Sequence, residues 1–181
     1  MIRANRYSDE VQAMNLQGIS KVVSGGQTGV DRAALDVAIY LNIPHGGWCP
    51  AGRRSEDGMI PQIYTLQETT QRDYSVRTEK NVVHSDGTLI LFRDRLSGGT
   101  ELTYRLAGKH KRPRLCFDLN DECVESPDGY QAFANWSIEN NISVLNVAGP
   151  RESTCRGIGL QTEAFLVNAL AATIQQNANW S

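Results

Sequence analysis

Two rhythms alternate along the chain: short continuous or β-branched apolar runs, and longer stretches with an apolar residue every three or four positions. The runs at residues 19–23, 87–92, 113–117 and 142–147 read as strands, and 45–49 reads as a short further one. Residues 87–92 are almost uninterruptedly apolar, the pattern of a strand covered on both faces of a parallel sheet. Between the runs, residues 30–41 carry apolar side chains at 30, 34, 37, 38 and 41, which predicts a helix with one buried stripe, ended by Asn42-Ile43-Pro44. Helical spacing also predicts helices from Asp73 to about Ser85 and from Glu101 to Lys111, the latter burying Leu102 and Leu106. Two more are expected, from Tyr130 to Asn140 with Phe133 and Trp136 on one face, and from about Leu160 to Ile174. Residues 1 to about 17 have few apolar positions and suggest a tail or lead-in helix. Residues 50 to about 73 form a polar loop of a length that in a compact domain is more often functional than idle.

Five strands alternating with four or five helices imply parallel β-α-β units. The expected fold class is therefore α/β: a Rossmann-like, doubly wound, mostly parallel open sheet with helices on both faces, in one domain over residues 1–181. Such sheets bind ligands beyond the carboxyl ends of their strands, where the strand order reverses.

Three turns that follow strands are rich in glycine or hydroxyl residues. The first, Ser24, Gly25, Gly26, Gln27, Thr28 and Gly29, runs into Asp31 at the start of a helix. Glycines let backbone N–H groups approach an anion, and the helix offers its positive end. The loop is neither a Walker A sequence nor a regular GxGxxG, which disfavours an ATPase. The second, Ser97, Gly98, Gly99 and Thr100, precedes Glu101, and the third contains Gly149, Pro150, Arg151, Glu152, Ser153 and Thr154. One such loop reads equally as a tight turn, but three after separate strands favour an anion pocket. Arg151, Arg156, Arg53 or Arg54 could clamp a phosphate, although arginines more often sit solvated at the surface. Asp31 reads first as a helix cap and second as a ligand contact. Glu101 reads as a cap, a partner for a heterocycle's amino groups, or an acid or base.

Composition narrows the classes. The 181 residues are 40% hydrophobic, enough for a continuous core, and the formal net charge is −2. That charge speaks against a nucleic-acid binder, and the basic residues between Arg93 and Arg114 read as an exposed helix face or oligomer contact. The four cysteines show no CxxC pair and His45, His84 and His110 form no ligand set, so no metal site is expected. Cys49 and Cys155 lie near the expected pocket and read as small incidental residues ahead of thiol contacts to a ligand. With no spanning apolar run and no secretory signal, the expectation is a soluble cytoplasmic protein away from membranes.

The stretches SGGQTGVDRAALD at 24–36, GWCPAGRRSEDG at 47–58, SGGTELT at 97–103 and NVAGPRES at 146–153 resemble the molybdenum cofactor carrier protein family, across most of residues 19–170. That family is related to the Rossmann-like lonely-guy phosphoribohydrolases, formerly called lysine decarboxylases. The resemblance implies a homo-oligomer, dimer or tetramer, that holds the molybdenum cofactor, a phosphorylated pterin with a dithiolene, as cargo. It would protect the cofactor or deliver it to molybdoenzymes or cofactor-biosynthesis proteins without converting it. On this resemblance Ser24, Gly25, Gly26, Gln27, Thr28, Gly29, Asp31, Ser97, Gly98, Gly99, Thr100, Glu101, Gly149 and Arg151 are the candidate cofactor-binding residues, with no catalytic residue. The enzyme alternative is cleavage of nucleoside monophosphates at the N-glycosidic bond, for which the related hydrolases carry Pro-Gly-Gly-x-Gly-Thr and a following glutamate. Here the leading proline and the spaced glycine are missing and Glu101 directly follows Thr100, which speaks against that mechanism. A nucleotide-sensing module is a third reading, disfavoured by the acidic pI of about 5.9.

Overall fold

The computed structural model describes residues 18–178, so the expectation for residues 1 to about 17 lies outside the described part. The elements in chain order are β1 (Lys21–Val23), α1 (Val30–Tyr40), β2 (His45–Gly46), β3 (Trp48–Cys49), β4 (Arg54–Ser55), β5 (Gly58–Met59), β6 (Gln67–Glu68) and α2 (Tyr74–Val83). They continue as β7 (Gly87–Phe92), α3 (Gly98–Lys109), β8 (Arg114–Asp118), α4 (Pro127–Glu139), β9 (Val144–Ala148) and α5 (Ile158–Ala178).

The main sheet has five strands in the order β2-β1-β9-β7-β8, all parallel. Its last strand in sequence, β9, lies in the middle: Lys21 of β1 faces Val144, and Leu89 of β7 faces Val147. Helices α1, α4 and α5 cover one face over a core that includes Leu89, Leu91, Leu145, Phe133 and Phe165. The Phe165 ring meets Phe117 edge-on at 5.5 Å, and burial of each such ring contributes about 1.5–3 kcal/mol. On the other face α2 packs on α3 through Val82, Leu106 and Ala107. This is the doubly wound α/β arrangement expected from the sequence, with the order reversing between β1 and β7.

Several local readings need correction. Residues 45–49 are two strands rather than one: Gly47 turns at φ +127°, and a Cβ there would lie 2.2 Å from the Ser24 carbonyl oxygen. The chain therefore leaves the main sheet after β2, and β3 pairs in parallel with β6. The polar stretch from 50 to 73 has its own organisation, a β4-β5 hairpin and a hydrophobic patch of Cys49, Ile60 and Tyr64 with Leu35 of α1. Its hub is Arg53, whose guanidinium donates to the carbonyls of Ile60 (3.0 Å), Pro61 (2.8 Å), Tyr64 (3.0 Å) and Leu66 (3.3 Å). Helix α3 starts at Gly98, three residues before the expected Glu101, because Ser97 is extended and both glycines enter the first turn. Helix α4 likewise starts at Pro127, with Ser126 as its cap accepting from the Gly129 amide at 3.3 Å.

Candidate functional site

Since β1, β9 and β7 are parallel neighbours, the turns that follow them leave the sheet at one edge, with strands spaced about 4.8 Å apart. Residues 24–29, 149–157 and 93–97 therefore emerge side by side, the 149–157 turn in the middle. The helices that follow β1, β7 and β9 begin at this edge, as does α2, which runs back before β7.

The first loop is densely packed. The Ser24 hydroxyl donates to the Val147 carbonyl at 2.8 Å, tying β1 to β9. The Gln27 side-chain oxygen accepts from the amides of Thr28 (3.1 Å) and Glu56 (2.9 Å). Gly29 adopts φ +75°, ψ −131°, and a Cβ on it would lie 2.5 Å from the Pro150 oxygen and 2.8 Å from the Glu152 nitrogen. The Val30 amide donates to Pro150 O at 3.2 Å, and the Glu152 amide to Thr28 Oγ1 at 3.3 Å. Glu56 links the same two loops, accepting from the hydroxyls of Thr28 and Ser153. Its slight burial works upward on the carboxyl, but those two hydroxyls hold it below its ordinary range.

Asp31 is only 3% exposed. Burial pushes its carboxyl up, opposed by the Arg77 guanidinium, whose Nη1 donates to Asp31 Oδ2 at 2.9 Å. Arg77 also lies flat against the first loop: a Cβ on Gly25 would fall 1.6 Å from Arg77 Nη1. Tyr74, one turn earlier on α2, has the guanidinium carbons of Arg77 and Arg151 at 6.0 and 4.9 Å from its ring centroid. The edge thus holds two guanidiniums beside one ring. Sequence reasoning identified Arg151 and missed Arg77; its only signal is that it shares a helix face with Tyr74.

In the third loop Gly149 permits close approach, since its Cβ would meet Leu91 O at 2.3 Å and Val30 Cγ2 at 2.5 Å. The Glu152 carboxylate accepts from the amides of Gly157 and Gly159, so the N-terminus of α5 is satisfied by the protein itself.

The second loop is different. Ser97 gives no side-chain cap to α3, residues 97–99 are exposed, and a Cβ on Gly98 or Gly99 would meet nothing within 4 Å. Thr100 is buried behind them, and Glu101 is exposed in the first turn. Here the positive end of a helix is open to an anion. Four buried side-chain polar atoms among the described residues lack a hydrogen-bond partner, and three of them, Gln27 Nε2, Arg32 Nε and Arg77 Nε, are donors around the first loop.

The remaining sequence candidates fall elsewhere. Arg53 is committed to loop carbonyls. Cys49 is fully buried, and that burial pushes its thiol up, away from the reactive thiolate. Among the described residues no cluster of three or more His, Cys, Asp or Glu could hold a metal ion, and no helix is long and apolar enough to cross a membrane.

The fold and its carboxyl-edge loops define a Rossmann-like α/β protein with a glycine-lined edge. The chain belongs to the circularly permutated YpsA SLOG family, whose model matches residues 22–170. Among solved structures it is similar to the putative molybdenum carrier protein from Syntrophus aciditrophicus SB, at 47% sequence identity and a TM-score of 0.82, covering 84% of this chain and 96% of that one. Among curated proteins none matches.

Proposed function

We propose that this protein is a carrier that holds the molybdenum cofactor by its terminal phosphate at the carboxyl edge of the sheet and protects or delivers it unchanged. The observation that carries the reading is the open first turn of α3 at Gly98 and Gly99, with Thr100 buried behind them, on the same edge as the Arg77 and Arg151 guanidiniums. A phosphate there accepts from helix amides and from arginine, both strong anion donors. Ser24, Gly25, Gly26, Gln27, Thr28, Gly29 and Gly149 build the wall beside it, Asp31 holds Arg77, and Glu101 and Ser97 lie at its rim, where a carboxylate suits the amino groups of a pterin. The name of the 47%-identical neighbour supports the choice of cargo. We propose further that one domain suffices, that copies of the chain assemble, and that the protein works in the cytoplasm with molybdoenzymes or cofactor-biosynthesis proteins as recipients.

The test is Gly99→Leu. Because no atom lies within 4 Å of a Cβ at Gly99, this variant keeps its fold while its side chain fills the space before the helix amides. The expected result is loss of cofactor retention with an unchanged circular dichroism spectrum. Retention at wild-type strength in the folded variant overturns the assignment. The exposed Glu101 makes nucleoside-monophosphate cleavage the second reading: Glu101-dependent release of free base from a panel of nucleoside monophosphates would favour it over the carrier.

A further inference from the structure

A cavity of about 350 Å³ lies between the main sheet, α2 and β3; no residue of the three carboxyl-edge loops lines it, although Gly47 in its wall packs against Ser24. Lys21 and Val144, the first residues of β1 and β9, line it with Val23, and α2 closes it with Asn81 and His84. Its remaining wall is Gly47, Trp48 of β3 and Gln67 of β6. The volume falls within the range of small-molecule sites.

The wall is built by specific bonds. Asn81 is 3% exposed, and both ends of its amide serve Trp48: Oδ1 accepts from the Trp48 amide at 2.7 Å and Nδ2 donates to the Trp48 carbonyl at 3.1 Å. The indole Nε1–H donates to His84 Nδ1 at 2.9 Å. Because an indole nitrogen only donates, this bond leaves His84 Nδ1 as an acceptor and places the proton of the imidazole on Nε2. The ring therefore presents a donor on its free side.

Two ammonium groups and one carboxylate stand around the cavity. Lys21 has no carboxylate partner among the described residues, and the Lys80 ammonium sits 3.7 Å from the centroid of the Trp48 ring. Asp86, the acidic residue tied to this end of the sheet, is committed to the amides of Ser143 (3.1 Å) and Val144 (2.7 Å). An aromatic wall, an apolar floor of Val23 and Val144, one imidazole donor and an ammonium without a counter-charge suit a flat body bearing a negative group.

We infer that this cavity is a second binding site, separate from the carboxyl edge, for a small planar aromatic or heterocyclic carboxylate. The carboxylate meets Lys21 and the His84 Nε2–H, and the ring lies along Trp48 over the two valines.

The experiment titrates the full chain with nicotinate and follows the indole N–H signals of its three tryptophans by NMR, with Trp48→Phe identifying the Trp48 signal. The expected result is a saturable shift of that signal, complete by about 10 mM, as for an affinity in the millimolar class. Nicotinamide, which has the same ring without the charge, binds about 10-fold more weakly, and Lys21→Met weakens nicotinate by about 10-fold, the worth of one charge-assisted hydrogen bond. Lys21 is exposed, so the variant retains its fold. Absence of a saturable shift, equal binding of nicotinamide, or unchanged affinity in Lys21→Met overturns the inference. Inorganic phosphate followed at the Gly98 and Gly99 amides reports on the carboxyl edge separately, so either reading can fail alone.

Discussion

At Gly29 two loops of the carboxyl edge pack backbone against backbone, and Gly29→Ala tests whether that apposition holds the edge together. The perturbation has two parts. At φ +75°, ψ −131° an L-residue occupies a region reserved for glycine, a strain of about 1–3 kcal/mol. The new Cβ also falls 2.5 Å from Pro150 O, 2.8 Å from Glu152 N and 2.9 Å from Arg151 C. All three are backbone atoms that cannot swing aside, and an overpacked contact of this kind costs about 1–3 kcal/mol. The expected destabilisation is about 2–6 kcal/mol, which lowers the urea midpoint by about 1–3 M for an m-value near 2 kcal/mol/M. Urea unfolding followed by circular dichroism at 222 nm measures it. Gly99→Ala is the control: its Cβ meets nothing within 4 Å and it sits in the first turn of a helix, so stability rises by up to about 1 kcal/mol. A Gly29→Ala protein within 1 kcal/mol of wild type would refute the reasoning, because the loops would then part at little cost.

Three further outcomes are expected. Arg77→Met strands the carboxylate of Asp31 in a site only 3% exposed and costs about 3–5 kcal/mol. Adding Asp31→Asn should recover part of that loss, and a double variant no more stable than Arg77→Met contradicts the pairing. Hydrogen bonding from Arg32 holds the Asp57 carboxyl at about 2, and Glu56 is also held below its ordinary range. Both groups are depressed on folding, so their contribution is complete above the ordinary carboxylate values of 3.8 and 4.5 and drains away as pH falls toward 2. Carbon-detected carboxyl titration and amide exchange at Gly58 check this, and midpoints at the ordinary values would sink it. Phe165→Ala, at a fully buried ring packed against Phe117, Tyr130 and Phe133, should cost about 3–5 kcal/mol in the same urea assay.

The parts of the molecule that could be read from the chain are those with a local cause. The unbroken apolar run of β7 and the stripe at 30, 34, 37 and 38 in α1 report burial directly, and both elements are found where expected. The glycines at 25, 26, 29, 98, 99 and 149 marked the carboxyl edge. What stayed hidden depends on distant partners. Gly47 breaks a five-residue run because Ser24 lies against it, and nothing within the run announces that. Glycine's low helix propensity concealed the true start of α3 at Gly98. Arg53, a candidate phosphate clamp from its sequence, and Arg77, which no motif marks, acquire their roles only when carbonyls from 60–66 and the carboxylate of Asp31 are brought to them. The alternation of strands and helices also says nothing about order, so the central place of β9 could not be read from periodicity.

That place of β9 has a consequence for how the chain assembles during synthesis. Until residues 144–148 have emerged, β1 with β2 and β7 with β8 are two half-sheets with no strand to join them. Each presents an unpaired row of amides and carbonyls to its surroundings. Closure then joins segments 123 positions apart, as between Ser20 and Ser143, and separations of that size slow folding because a long loop must close before any contact rewards it. The fragment ending before β9 is thus the aggregation-prone stage in the life of this protein, and completion of the last strand ends it.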